Sequence, residues 1–176
     1  MNTRRFLEWG GLAAGVVLIA FGAAALYMGV DGRSTVRDSL KQEQIYFGEA
    51  SDPAVAKHAD QWAGQQVKSG DQARAFALVM REHALESSGG MTYAQMGRYQ
   101  SAASPSDPKG TNDEAQAAKG TDGAPLANTA RNTWVTETAL STALNVSYMA
   151  EQLSLFGIVV GVALLLTGIG LLILAL

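Results

Sequence analysis

Two uncharged apolar runs, Trp9–Val30 and Leu153–Leu176, constrain this chain more than any other feature. Each is long enough to cross a bilayer as a helix, which takes about 20 residues at about 1.5 Å per residue. Neither run contains Asp, Glu, Lys, Arg or His, so a proton relay or ion path through this pair alone is not expected. The polar residues lie almost entirely between them. The chain therefore reads as an all-α membrane protein, with two transmembrane helices flanking a small helical extracytoplasmic domain.

Charge and composition narrow the function. The stretch between the runs holds eleven Lys/Arg against fifteen Asp/Glu. A net acidic segment does not suit nucleic acid, whose phosphates need clustered Lys or Arg. The absence of cysteine excludes disulfides, thiolate nucleophiles and Cys-based metal centres. No phosphate-binding glycine loop, nucleophile elbow or metalloprotease motif is present. The expectation is a non-enzyme without a cofactor or metal.

Arg4 and Arg5 precede the first run, which puts the N-terminus in the cytoplasm by the positive-inside rule. Two crossings return the C-terminus to the same side and leave the middle outside. Arg33 and Arg37 oppose this orientation, with Asp31 and Asp38 beside them. A cleaved signal peptide is the alternative for the first run. The run is longer than a signal core of about 7–15 residues, and Phe6-Leu7-Glu8 is poor spacing for a twin-arginine signal, so a retained helix is the reading.

The resulting division is a cytoplasmic tail over 1–8, a transmembrane helix over 9–30 and an extracytoplasmic helical region over 31–100. A flexible linker over 101–125 follows, then a stalk helix over 126–152 and a second transmembrane helix over 153–176. Small residues at four- and seven-residue spacing, Gly11, Gly15 and Gly22 in one run and Gly157, Gly161 and Gly168 in the other, mark faces suited to close helix packing in lipid.

Between the runs, Arg33–Gln44 reads as a separate short helix. Asp52-Pro53 is a cap followed by a helix start. Asp71–Glu86 repeats Phe76, Val79, Met80 and His83 at helical spacing, and Ser87-Ser88-Gly89-Gly90 stops it. Thr92–Tyr99 suggests one more short helix. Ser101–Pro125 has three prolines, three glycines and almost no large apolar residue, which is the composition of a mobile segment. Thr129–Gln152 lacks Gly and Pro and leads into the second run, so a continuous helix of about 50 residues is expected.

Glu151 sits just before the second run, and Arg33 and Arg37 just after the first, which suggests juxtamembrane ion pairing. His83, Glu86 and Glu137 are candidates for a polar pocket. A metal or acid–base site built on His58, His83 and a carboxylate such as Asp60 is the sharper reading of the histidines. Lys57-His58-Ala59-Asp60 has no recognised ligand spacing, so histidines satisfied within the fold are the expectation.

Gly32-Arg33, Val36-Arg37-Asp38, Leu40, Ile45 and Phe47 form a recognisable pattern. Thr92-Tyr93-Ala94, Trp134-Val135-Thr136-Glu137-Thr138-Ala139-Leu140, Asn145, Ser147, Tyr148, Glu151 and the glycine-rich second run extend it. The whole resembles a group of uncharacterised actinobacterial membrane proteins with two transmembrane helices and an extracytoplasmic helical domain. The resemblance implies a bacterial plasma-membrane protein and no activity. The leading functional expectation is a membrane-anchored helical module that scaffolds or binds another membrane or envelope protein, or itself, amid membrane lipids. The alternatives are an accessory subunit of a transport or respiratory complex, and an extracytoplasmic small-molecule or lipid-binding sensor.

Overall fold

A computed structural model of the chain describes residues 3–175, with side chains described from residue 7. Four α-helices dominate: α1 (Thr3–Gln42), α2 (Pro53–His58), α3 (Gly70–Ser87) and α4 (Thr129–Ala175). Single 3-10 turns lie at Asp60–Trp62, Tyr93–Gln95 and Glu114–Gln116. Among the described residues β structure is limited to isolated bridges. The protein is therefore all-α, with two long apolar helices, one near each end, and a helical region between them. Both α1 and α4 are long and apolar enough to cross a membrane.

Two compact units divide the chain. The first draws on Met1–Glu43, Lys68–Gly70 and Ser147–Leu176, and the second on Gln44–Val67 and Asp71–Val146.

In the first unit, α1 runs for 40 residues without a break. The separate helix expected over Arg33–Gln44 is instead the last part of α1. Gly29 and Gly32 lie inside this helix against Ser154 of α4, where a β-carbon on either would come within 2.9 Å of that residue. The helix ends where Gln44 takes a left-handed conformation, φ +52°, which a non-glycine residue adopts at a cost of about 1 kcal/mol.

The second unit is organised around two apolar groups. Phe47 is buried and packs edge-on to Phe76 at 5.4 Å and stacked on Trp62 at 6.0 Å between ring centres. Trp134 of α4 is buried with Ala84 of α3 and Met96, and the Arg81 guanidinium lies 5.1 Å from its ring centre. Caps fix the element ends. Asp52 accepts from the N–H groups of Ala54 and Val55 at the start of α2, as the Asp-Pro pair predicts. At the end of α3, Gly90 N–H donates to Leu85 O and Gly89 N–H to Glu86 O. That paired pattern is a Schellman motif, and it needs the positive φ of Gly89, +61°. The helix expected over Thr92–Tyr99 is only the turn Tyr93–Gln95, because Gly97 N–H is drawn away to Lys109 O.

Residues 101–125 carry more order than their composition suggests. Bridges join Tyr99 to Thr111, Ser101 to Ala117 and Lys119 to Pro125. Asn128, itself buried, donates from its side chain to Gly97 O at 3.0 Å and Pro108 O at 2.9 Å. Backbone pairing, short turns and one buried amide organise the segment where apolar burial cannot.

Candidate functional site

Three arrangements bring together residues that the sequence marks as functional. In the first unit, α1 presents Arg33 and Arg37 on one face, one helical turn apart. Arg33 Nε lies 2.9 Å and Arg37 Nε 2.7 Å from Glu151 Oε1. The other oxygen, Oε2, accepts the backbone N–H of Gly70. Glu151 is 4% exposed, so this carboxylate is a buried charge with three donors. Burial alone would raise its pKa. The Gly70 N–H and the two guanidinium groups outweigh that, and the carboxyl is held below its usual value. Gly70 is the partner that sequence reasoning missed. The only signal was its smallness: a β-carbon there would lie 2.9 Å from Tyr148 Cα and 3.1 Å from Glu151 Oε2.

The same unit contains a seam of small residues. A β-carbon on Gly15 would come within 2.9 Å of Gly168 O, one on Gly22 within 2.8 Å of Gly161 O, and one on Gly29 within 2.7 Å of Ser154 O. Contacts step by seven residues along both helices and in opposite directions. That is the period of an antiparallel coiled coil built on small side chains. Gly29 and Ser154 extend the spacing that the sequence displayed at Gly15, Gly22, Gly161 and Gly168. Gly11 and Gly157 are looser, with nearest atoms 3.2 and 3.6 Å from an added β-carbon.

In the second unit, α3 and α4 form an open groove of about 390 Å³, lined by Met80, His83, Ala84, Ser87, Thr133, Thr136, Glu137 and Leu140. Glu137 is 4% exposed, and its Oε1 is buried without a hydrogen-bond partner. Thr138 Oγ1 is 3.4 Å from the other oxygen. His83 and Glu137 thus share one groove. Glu86 does not join them: it lines a separate cavity of about 320 Å³ with Lys57 and Glu82.

The histidines are paired with different carboxylates. His83 Nε2 lies 3.0 Å from Asp52 Oδ2, and His58 Nε2 lies 3.4 Å from Glu82 Oε2. Lys57 Nζ contacts both Glu82 oxygens at 3.0 Å. No group of three or more His, Cys, Asp or Glu able to hold a metal exists among the described residues. Asp60 joins neither histidine pair.

These features define a class: an all-α, membrane-associated architecture in which two helices of spanning length flank a helical region without an evident catalytic constellation. No known protein family, curated protein or solved structure matches the chain.

Proposed function

We propose that this chain is a non-enzymatic, membrane-anchored helical module whose central region binds a small ligand outside the cytoplasm. One observation carries the reading: a buried carboxylate, Glu137, lines a groove between α3 and α4 with one oxygen unpartnered. Buried polar groups in folded proteins are nearly always hydrogen-bonded, and an exception calls for an explanation. The groove, about 390 Å³, falls within the range of small-molecule sites, roughly 300–1,000 Å³. The apolar runs of α1 and α4 supply the anchor. The resemblance to actinobacterial two-helix membrane proteins, together with Arg4 and Arg5 ahead of the first run, supports a bacterial plasma membrane with both termini inside.

Ligand-detected NMR on the full chain in lipid nanodiscs tests this with a panel of three small cyclic amphiphiles: cyclohexanol, cyclohexylamine and cyclohexanecarboxylate. The expected result is saturable binding of at least one of them, lost in Thr136→Trp, whose indole would fill the groove. Binding of none, or binding that Thr136→Trp leaves unchanged, overturns the reading.

A second reading, scaffolding of another envelope or membrane protein or of a second copy, has its own support. Val135, Ala139, Thr142 and Val146 recur at helical spacing on α4 and are all exposed. Native mass measurement after gentle detergent extraction tests it. A complex with a second chain or a membrane partner is expected, and a lone monomer would count against it.

A further inference from the structure

Two aromatic side chains set the depth of α1 in a bilayer. Trp9 and Tyr27 are both largely exposed, and amphipathic rings of this kind sit at membrane–water interfaces. They are about 27 Å apart along the helix, close to the hydrocarbon thickness of about 30 Å. Arg33 lies about 4.5 Å beyond Val30, the last residue of the apolar run, and Arg37 about 10.5 Å beyond it. The headgroup layer is about 5–8 Å deep on each side of the hydrocarbon, so the two arginines bracket the plane of the lipid phosphates.

The hydrogen bonds of both guanidinium groups run through Nε alone. Arg33 Nε and Arg37 Nε share Glu151 Oε1, and Gly70 N–H takes Oε2, so both carboxylate oxygens are engaged. A guanidinium has five N–H donors. The four on the Nη nitrogens of each arginine meet no protein acceptor among the described residues. Both side chains are more than a third exposed. Two guanidinium groups against one carboxylate leave one net positive charge. The neighbouring carboxylates of α1 do not offset it. Asp38 is taken up by Lys41 and Ser34, and Asp31 is turned about 160° away from Arg33 around the helix axis.

One positive charge with unspent, forked N–H donors at this depth is complementary to a phosphodiester, which carries one negative charge and offers paired acceptor oxygens. Arginine binds such groups through two parallel hydrogen bonds. The surface on the membrane side is apolar: Val30, one turn down α1 from Arg33, and Leu153, just past Glu151 on α4, are exposed. A zwitterionic lipid would bring a second cation to a site that is already positive. We propose that Arg33 and Arg37 form a headgroup site for an anionic phospholipid, their Nη groups on its phosphodiester oxygens and its acyl chains against Val30 and Leu153. The proposal rests on the membrane-anchored part of the reading above and not on the groove.

Two measurements on the full chain separate the ways this can fail. Flotation with phosphatidylcholine vesicles after an alkaline carbonate wash tests the anchor. A chain that does not float overturns the anchor and the site together. Native mass spectrometry in detergent, with dioleoyl phosphatidylglycerol or dioleoyl phosphatidylcholine titrated in, then resolves each bound lipid. The first phosphatidylglycerol is expected to bind at least about tenfold tighter than the first phosphatidylcholine. Arg33→Gln and Arg37→Gln each leave one guanidinium on Glu151. Each should weaken phosphatidylglycerol about fivefold or more and leave phosphatidylcholine within about twofold. Arg98→Gln, in the second unit, should change neither. Equal wild-type affinity for the two lipids overturns the site and leaves the anchor standing. So does equal weakening by Arg98→Gln, which would show an effect of net charge alone. Inorganic phosphate is the arm for a free anion: displacement of phosphatidylglycerol by an equal concentration of phosphate would assign the site to a soluble anion and overturn the lipid. If neither arginine variant folds, as judged by helical circular dichroism, the wild-type comparison of the two lipids decides alone.

Discussion

Gly22 and Gly161 approach each other so closely that a β-carbon on either would lie 2.8 Å from the carbonyl oxygen of the other. No side chain can move aside to relieve a clash with backbone. Gly22→Val and Gly161→Val should therefore force α1 and α4 apart, and overpacking of this kind costs about 1–3 kcal/mol. Gly10 and Gly170 are the controls, since nothing lies within 4 Å of a β-carbon at either. Alanine there should leave stability unchanged or raise it by up to about 1 kcal/mol through helix propensity. Unfolding in mixed detergent micelles, followed by circular dichroism, separates the two outcomes. Equal effects at Gly161 and Gly170 would contradict the seam.

Glu151 holds two guanidinium groups and one backbone N–H at a single buried carboxylate. Breaking a buried pair leaves uncompensated charge and costs about 3–5 kcal/mol, but Arg33 and Arg37 are more than a third exposed and water can take them back. Glu151→Ala should therefore cost about 2 kcal/mol. Glu151→Gln keeps an acceptor for Gly70 and should cost less. Single replacement of Arg33 or Arg37 should cost least, because the remaining guanidinium still pairs with Oε1. A ranking with either arginine above Glu151 would show that the carboxylate is not the hub.

What the sequence made legible, and what it hid, follows from the range of the forces involved. Asp52-Pro53 announces its helix because a cap is a local device. The 47-residue α4 is readable because an uninterrupted stretch without glycine or proline joins an apolar run. Arg33, Arg37 and Glu151 share a depth that can be counted from the apolar runs. Gly70 could not be counted, because its N–H reaches Glu151 across 81 positions in sequence. The order in residues 101–125 was hidden for a related reason. Composition reports apolar burial, and this segment relies on backbone pairing and on Asn128. In the groove, Glu137 could be named from sequence but its lack of a partner could not.

Acid should act through the carboxylates held below their usual value, Asp38 beside Lys41 and three others. Burial would raise Asp52, but N–H donation from Ala54, the His83 ring and Val55 N–H lower it below the usual aspartate value. Lys57 first, and then His58, lower Glu82. Glu151 is lowered as described. A group whose pKa is lower in the folded than the unfolded state adds stability that is fully present above the unfolded value, about 4 for carboxylates. It loses that contribution as the pH falls through the folded value. These carboxylates should therefore leave stability level from pH 7 to about 5 and draw it down below about 4. Glu151→Gln removes one of them, so its stability difference from wild type should shrink as the pH falls. A difference that stays constant down to pH 3 would mean that the carboxylate's charge is not what stabilises the pair.

Asn128 gives the sharpest test of order in the segment before α4. Its side-chain nitrogen donates to Gly97 O and Pro108 O, and its oxygen accepts from Ala130 N–H at 3.1 Å in the first turn of α4. Asn128→Asp keeps the acceptor and the capping role but removes both donors. It leaves two carbonyl groups without this partner and sets a negative charge beside them. The unpaired groups should cost about 1–3 kcal/mol, concentrated in residues 97–128. Asn128→Ala loses the cap as well, a further loss of about 1 kcal/mol. Limited proteolysis and amide exchange read the difference by location. Asn128→Asp should speed cleavage and exchange within 101–125 while the amides of α1 stay as protected as in the wild type. A segment that is already cleaved as fast in the wild type would show that the bridges at Tyr99, Ser101 and Lys119 do not hold it, and that the amide of Asn128 has nothing to organise.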